Sequence, residues 1–325
     1  MNDMFNAALR HLLADEPVRV THLYTLSMMQ PQRLDTFKQT WARVPAPRRR
    51  KVMQRLVEMT ETNLEVNFTP IFLLGLADEE AGVRQAAIEG LWEEEDPALV
   101  GLLVHLLQTD PDVAVRAAAA TALGQFVLLG ELEEIDGAPA LLAEQSLLEA
   151  IRKPAEDLEV RRRAVEAVAY SGETGIRQVI EAAYFDEHPK MRVSAVFAMG
   201  HSADRVWVPT LLRELESDNP EMRFEAARAC GELEAAEAIP ALLVLIETEG
   251  DYEIRSAAIW SLGSIGGSRA RQALLDLVEG DDRVLRAVAQ EALEAINPFG
   301  DELLDLSLYP LEDIEFEDEE ADEFD

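Results

Sequence analysis

Arginines recur along this 325-residue chain as Arg19, Arg50, Arg84, Arg116, Arg161, Arg192, Arg223, Arg255 and Arg286. The successive differences are 31, 34, 32, 45, 31, 31, 32 and 31. A regular row of guanidiniums could bind phosphates or carboxylates, because each offers a planar fork of N–H donors. A structural role competes with that chemistry. In most copies the arginine lies four residues after an Asp or Asn, as in Asp112/Arg116, Asp157/Arg161, Asn219/Arg223 and Asp251/Arg255. Stacked units would then set Arg84, Arg116, Arg161, Arg192, Arg223, Arg255 and Arg286 into a ladder of Arg–Asp pairs along the seams. An exposed pair contributes about 0–1 kcal/mol, and a partly buried ladder more.

The other chemistry-bearing residues give less. Five histidines, His11, His22, His105, His188 and His201, share no i, i+3 or i+4 spacing of the kind that chelates a metal. The single cysteine, Cys230, replaces an apolar residue of the other copies and reads as an inert core thiol. No Walker loop, Gly-x-Ser-x-Gly elbow or His-Glu-x-x-His motif occurs. Carboxylate pairs carry no information in a chain with 63 acids. No catalytic residue, metal or cofactor is therefore expected.

Those 63 acids face 29 basic residues, a net charge of −34. Phosphate backbones and anionic membranes repel such a surface, so neither nucleic acid nor membrane is expected as a partner. The longest run free of charged residues is Ala117 to Gly130, short of a bilayer span. Met1-Asn2-Asp3-Met4 opens no signal peptide. The expectation is a soluble, cytoplasmic protein.

The elements that position the arginines follow from the repeat itself. In the copy at Asp112, an apolar residue follows at three, Arg at four, small residues at seven and ten, an apolar residue at eleven and Gly at twelve. Each unit reads as two helices. The first opens near a proline, as at Pro70, Pro97, Pro209 and Pro240, where a missing N–H costs nothing. The Asp or Asn caps the second. The small residues admit a close neighbour, and the glycine is placed near the second helix's C-terminus. The interval of 45 marks an insertion of about 14 residues near 131–145.

These residues resemble HEAT repeats of the short, phycobilisome-lyase-like type, clearly over 66–296 and weakly over 5–65. Tetratricopeptide and ankyrin signatures are absent. The resemblance implies an all-α fold, a right-handed armadillo-type α-solenoid of about nine two-helix repeats, with the second helices lining the concave side. At ~10 Å per repeat the rod would be roughly 90 Å long. Three regions are expected: divergent helical repeats over 1–65, the solenoid over 66–296 and an acidic tail over 297–325. Deoxyhypusine hydroxylase shares this architecture and binds iron through His-Glu pairs. No His is followed by Glu here, so that chemistry does not transfer. Phycobilin lyases share the repeat type, but no added motif carries their activity over.

Partner binding should lie where repeats depart from their consensus. Positions one and five after each anchor share a helix face. Most are polar or small, but three consecutive repeats offer Val193, Phe197, Phe224, Arg228 and Trp260. Aromatic anchors with a charged clamp suit a peptide or protein segment. The same rings could instead turn into the core between repeats. Trp92 stands where other repeats have glycine, either as a second contact or as a packing exception.

The ends differ in sign. Residues 1–60 hold ten basic and five acidic residues, concentrated at Arg48, Arg49, Arg50, Lys51 and Arg55. That run reads as a targeting or nucleic-acid patch, or as a solvated helix face. Residues 301–325 hold 13 acids and no base. Apolar residues interleave with them, among them Tyr309, Ile314, Phe316 and Phe324, as in a docking segment. The tail is expected to dock in its own groove or on a neighbour's basic patch, or else to act as a solubilising cap. The favoured function is a non-enzymatic scaffold or adaptor for a protein or peptide. The alternative is an accessory lyase or chaperone-like factor for a bilin-type cofactor-bearing protein.

Overall fold

The computed structural model describes residues 2–63 and 65–296. Among these residues every element is helical. The chain starts with α1 (Asn2–Leu13), the single turn α2 (Val20–Leu23), α3 (Pro31–Trp41) and α4 (Ala46–Thr62). Helices then come in pairs. The first two pairs are α5 (Thr69–Gly75) with α6 (Ala81–Glu89), and α7 (Ala98–Thr109) with α8 (Val113–Glu131). Next come α9 (Gly137–Arg152) with α10 (Leu158–Val168), and α11 (Ile176–Tyr184) with α12 (Pro189–His201). The last three are α13 (Val208–Glu214) with α14 (Pro220–Glu232), α15 (Ile239–Thr248) with α16 (Tyr252–Ile265), and α17 (Gly267–Glu279) with α18 (Arg283–Ile296).

Each anchor arginine from Arg50 onward lies on an even-numbered helix. Those helices pack in series, α4 on α6, α6 on α8 and so on to α18. From α5 onward each odd-numbered helix packs on the even-numbered helix that follows it. This is an all-α solenoid, with one apolar core running through every seam. The caps fall where the repeat puts them. Asp112 accepts from the Ala114 and Val115 amides, and Asp251 from those of Glu253 and Ile254. Asp157 and Asn219 each accept one such amide.

The recurrent glycine lies one residue inside the C-terminus of its helix, as Gly200 in α12 and Gly231 in α14, and there it also meets the next helix. A Cβ on Gly200 would lie 2.8 Å from Ala229 Cα, and one on Gly231 would lie 2.9 Å from Ser261 Cα. Both therefore sit where successive second helices meet backbone to backbone. The left-handed turn comes three residues later, at Ala203 and Glu234, whose φ values are 51° and 47°.

The inserted residues form no separate element. They lengthen α8 to 19 residues and α9 to 16, against 13 in α12 and α14. By length and composition α8 could cross a membrane, which its charge-free core of Ala117 to Gly130 did not suggest. Its Val115, Ala119, Ala120, Leu123 and Phe126 are instead packed into the core.

Four of the seven ladder arginines reach a carboxylate across the seam, and the acid is the capping one only for Arg255, whose Asp282 also accepts from the Val284 and Leu285 amides. Arg84 grips Asp110 through two hydrogen bonds of 2.7 and 2.8 Å, and its third arm donates to the Asp78 carbonyl. Arg116 donates twice to one Glu156 oxygen, at 2.8 and 3.1 Å, and once to the Asp110 carbonyl. Arg223 donates to Glu249 at 2.7 Å, and Arg255 lies 3.6 Å from Asp282. Each acid belongs to the turn of the next repeat, so the bond crosses the seam. Arg192 donates to the Asp186 and Glu187 carbonyls, and Arg161 Nε is buried without a partner. Arg286 stands on the last described helix.

Candidate functional site

The face at one and five residues past each anchor opens into a groove. One pocket of about 740 Å³ is lined by Val193, Phe197, Phe224 and Arg228, together with Arg162, Arg163, Glu166 and Tyr170. A second of about 570 Å³ shares Phe224 and Arg228 with it and adds Tyr252 and Trp260. A third of about 740 Å³ shares Thr121 and Arg163 with the first and is flanked by Trp92. Neighbouring pockets share lining residues, so the three follow one another along the second helices.

Of the expected stripe only Trp260 is exposed, and Phe224 packs partly against the core. Trp260 is 45% exposed, while Phe197 and Phe224 are half-buried. Val193 differs: at 8% exposure it is floor rather than contact surface. Trp92 is 53% exposed and lines the groove, so it is not packed inward.

The stripe is held from beneath. Arg228 lies 5.9 Å from the Phe197 ring centroid, within reach of its π face, and has Glu232 at 3.7 Å and Glu225 at 4.0 Å. Phe197 also packs against His201 at 4.2 Å, and Tyr170 lies 5.1 Å from the same imidazole. Farther along, Arg162 donates to Ser194 Oγ at 3.0 Å, and that hydroxyl donates to Glu166 at 2.5 Å. Arg163 bridges Glu159 and Glu166.

Burial sets the electrostatics. It pushes the Glu225 carboxyl up, with Arg228 opposing, and it pushes the Tyr170 phenol up with Glu232 assisting. It holds His201 below the usual imidazole value, with Glu232 pulling the other way. The groove thus combines apolar rings with internally paired charges. Such a surface can hold the apolar side chains of an extended or helical segment and orient them through its ion pairs.

Tyr170, His201 and Glu232 were not placed on the groove from the sequence. They stand nine residues past Arg161, Arg192 and Arg223, one helical turn beyond the position-five ridge. Extending the i, i+4 ridge to i+8 finds them.

The basic run at 48–55 is not a single free patch. Arg48 donates to the carbonyls of His11, Leu12 and Glu16, tying α4 to the end of α1. Arg49 bonds to Asp78 and the Val44 carbonyl, Arg50 to Glu80, and Arg55 to Glu58. Only Lys51 of the five is an exposed cation with no partner among the described residues. The fold's own oxygens draw this charge apart. The docking segment with Tyr309, Ile314, Phe316 and Phe324 lies outside the described residues. No cluster of three or more His, Cys, Asp or Glu residues suited to a metal occurs among the described residues.

Stacked helical pairs with a groove along their second helices define an α-solenoid of the armadillo type. The family described as HEAT repeats matches residues 69–146 and 208–294, about half of the chain, and the chain belongs to that family. Two curated relatives match shorter stretches. A phycocyanobilin lyase subunit alpha from Synechococcus elongatus is 43% identical over 67 residues, 21% of this chain and 24% of its own length. The bilin biosynthesis protein PecE from a Nostoc species is 37% identical over 75 residues, 23% of this chain and 30% of its own. The chain thus spans less than a third of either relative. Among solved structures, the complex of CpcE and CpcF of phycocyanin lyase from Nostoc is 20% identical, covering 70% of this chain and 94% of that one, with a TM-score of 0.46. Human deoxyhypusine hydroxylase is 20% identical, covering 91% and 96%, with a TM-score of 0.36.

Proposed function

We propose that this chain is a protein-binding solenoid that grips a segment of a partner protein in the groove between Trp92 and Trp260. The observation that carries this reading is that half-buried Phe197, Phe224 and Arg228 and exposed Trp260, on three successive second helices, line two adjoining pockets. Apolar side chains of the partner would cover the rings. Arg228, already held over Phe197, would meet an acidic residue. Val193 serves as floor. The chain works as an adaptor, in the cytoplasm.

A second reading is favoured by the two bilin-related relatives, which support it more strongly than they support a passive scaffold. Here the partner is a cofactor-bearing protein of bilin type, and the chain is an accessory lyase or chaperone-like factor. The groove would present the acceptor segment of that protein while the chromophore is attached.

One set of proteins tests both. Phe197→Ser with Trp260→Ser, and the unaltered chain, are mixed with an apo phycocyanin subunit in the presence and absence of phycocyanobilin. Binding by the unaltered chain that the double substitution abolishes, with helicity unchanged, supports the groove. Faster covalent attachment of the bilin, followed by visible absorbance of the denatured adduct, supports the second reading. If the double substitution captures every ligand that the unaltered chain captures, the groove is not the binding surface.

A further inference from the structure

Among the ladder arginines followed by a described repeat, one is left unbonded. Arg84, Arg116, Arg192, Arg223 and Arg255 each donate to at least one carboxylate or carbonyl oxygen. Arg161 donates to none among the described residues, and its Nε is shut off from solvent. Arg84 and Arg223 bond to an acid two residues before the next helix cap, Asp110 and Glu249. Asp186 holds that position ahead of His188, the cap of α12. Its carboxylate accepts from the His188 amide at 2.8 Å and forms no ion pair with Arg161. Arg161 and Asp186 instead line a cavity of about 410 Å³ at the seam of α9 and α10 with α11 and α12. Val165 and Met191 are buried in its wall, with half-buried Ile151 and Val179 beside them. Arg152, exposed on the last turn of α9, borders the same cavity and has no ion pair among the described residues. The comparable cavity of about 450 Å³ beside Arg223 differs, because Glu249 already holds that guanidinium at 2.7 Å.

We infer that this cavity binds a small organic acid, a carboxylate on a short aliphatic chain, and that Arg161 grips the carboxylate. A buried charged donor with no acceptor is costly, and an anion removes that cost. The planar guanidinium fork matches the two oxygens of a carboxylate. The lining carries two arginines and one aspartate, a surplus of one positive charge in a chain of net charge −34. That surplus suits a monoanion rather than a phosphate dianion. Ile151, Val165, Val179 and Met191 offer the aliphatic chain a surface that excludes water. The cavity shares no lining residue with the three groove pockets, so the site stands whatever the groove holds.

Titration calorimetry of the full chain with sodium hexanoate tests this. Hexanoate should bind saturably at one site, about tenfold tighter than acetate, which lacks the chain, or hexan-1-ol, which lacks the charge. Arg161→Met keeps the length of the side chain and removes its donors, and it should abolish that binding with helicity unchanged. Val179→Trp fills the cavity from its rim, leaves Arg161 in place and should abolish binding too. Phe197→Ser with Trp260→Ser should leave it unaltered. Asp186→Asn removes a like charge and should tighten hexanoate by about threefold. Absence of saturable hexanoate binding to the unaltered chain overturns the inference. So does binding that survives Arg161→Met, or that only the groove substitutions remove. A fall in melting temperature on Asp186→Asn as large as that on Asp110→Ala also overturns it, since Asp186 would then be the acid of Arg161.

Discussion

The Arg228 guanidinium lies 5.9 Å from the centre of the Phe197 ring, although the two residues belong to successive second helices. Both occupy the fifth position after their anchor arginines, Arg223 and Arg192. The contact exists because repeats stack in register, so equivalent positions become neighbours. It lets a cation sit beside an aromatic ring at the middle of the groove, with Glu225 and Glu232 close enough to hold it.

That placement fixes how the tryptophans respond to a quencher. Trp92 and Trp260 face the groove, whereas Trp41 and Trp207 are 5% and 8% exposed. Acrylamide should quench the emission of Trp92 and Trp260 and largely spare the other two. Trp260→Phe and Trp92→Phe should each remove part of the accessible fraction, and the double substitution nearly all of it.

Close helix approach makes two glycines respond in opposite directions. Gly231→Val would drive side-chain atoms into Ser261 and the Trp260 ring, an overpacking cost of about 1–3 kcal/mol. Gly101 sits in the α7 helix with no atom within 4 Å of a Cβ, so Gly101→Ala should stabilise by about 0.5–1 kcal/mol. Thermal unfolding reads both signs.

The ladder predicts the response to acid. Burial pushes Asp110 up, but hydrogen bonds from Arg84 and the Asp112 amide outweigh it and hold the carboxyl below the usual range. Glu156 is likewise lowered on balance, by Lys153, the Asp157 amide and Arg116 against burial. A depressed folded-state pKa contributes stability above the ordinary carboxylate value, lost as pH falls through the lowered value. Asp110→Ala leaves Arg84 buried without its counter-charge and should cost about 3–5 kcal/mol near neutral pH. Its stability should then fall less than that of the unaltered chain on acidification, measured by urea unfolding at several pH values.

Cys230 should be chemically silent in the folded chain. Burial raises its thiol pKa to about 12, and none of its surface is exposed. A thiol-reactive chromogen should label the native protein only at the rate of unfolding, and label it at once in denaturant.

The sequence by itself determined the repeat, the caps and the class of fold. Arg116 four residues after Asp112, with small residues at fixed intervals, is a local statement about one helix, and local statements survive any tertiary arrangement. It also marked Phe197, Phe224 and Trp260, because a helix face is a matter of spacing along one chain. Only the tertiary structure decided what met across each seam. Asp110 rather than Asp112 became the partner of its ladder arginine, Arg84, since the long guanidinium reaches forward to the next turn. Gly200 and Gly231, near their helix ends as the spacing placed them, also became points of backbone contact, because where two helices cross depends on both. The charge of Arg48, Arg49 and Arg50 was spent on oxygens from α1 and the α5–α6 turn, which no count of basic residues contains. Spacing selects which residues share a face; packing alone selects which of them stay in contact with water.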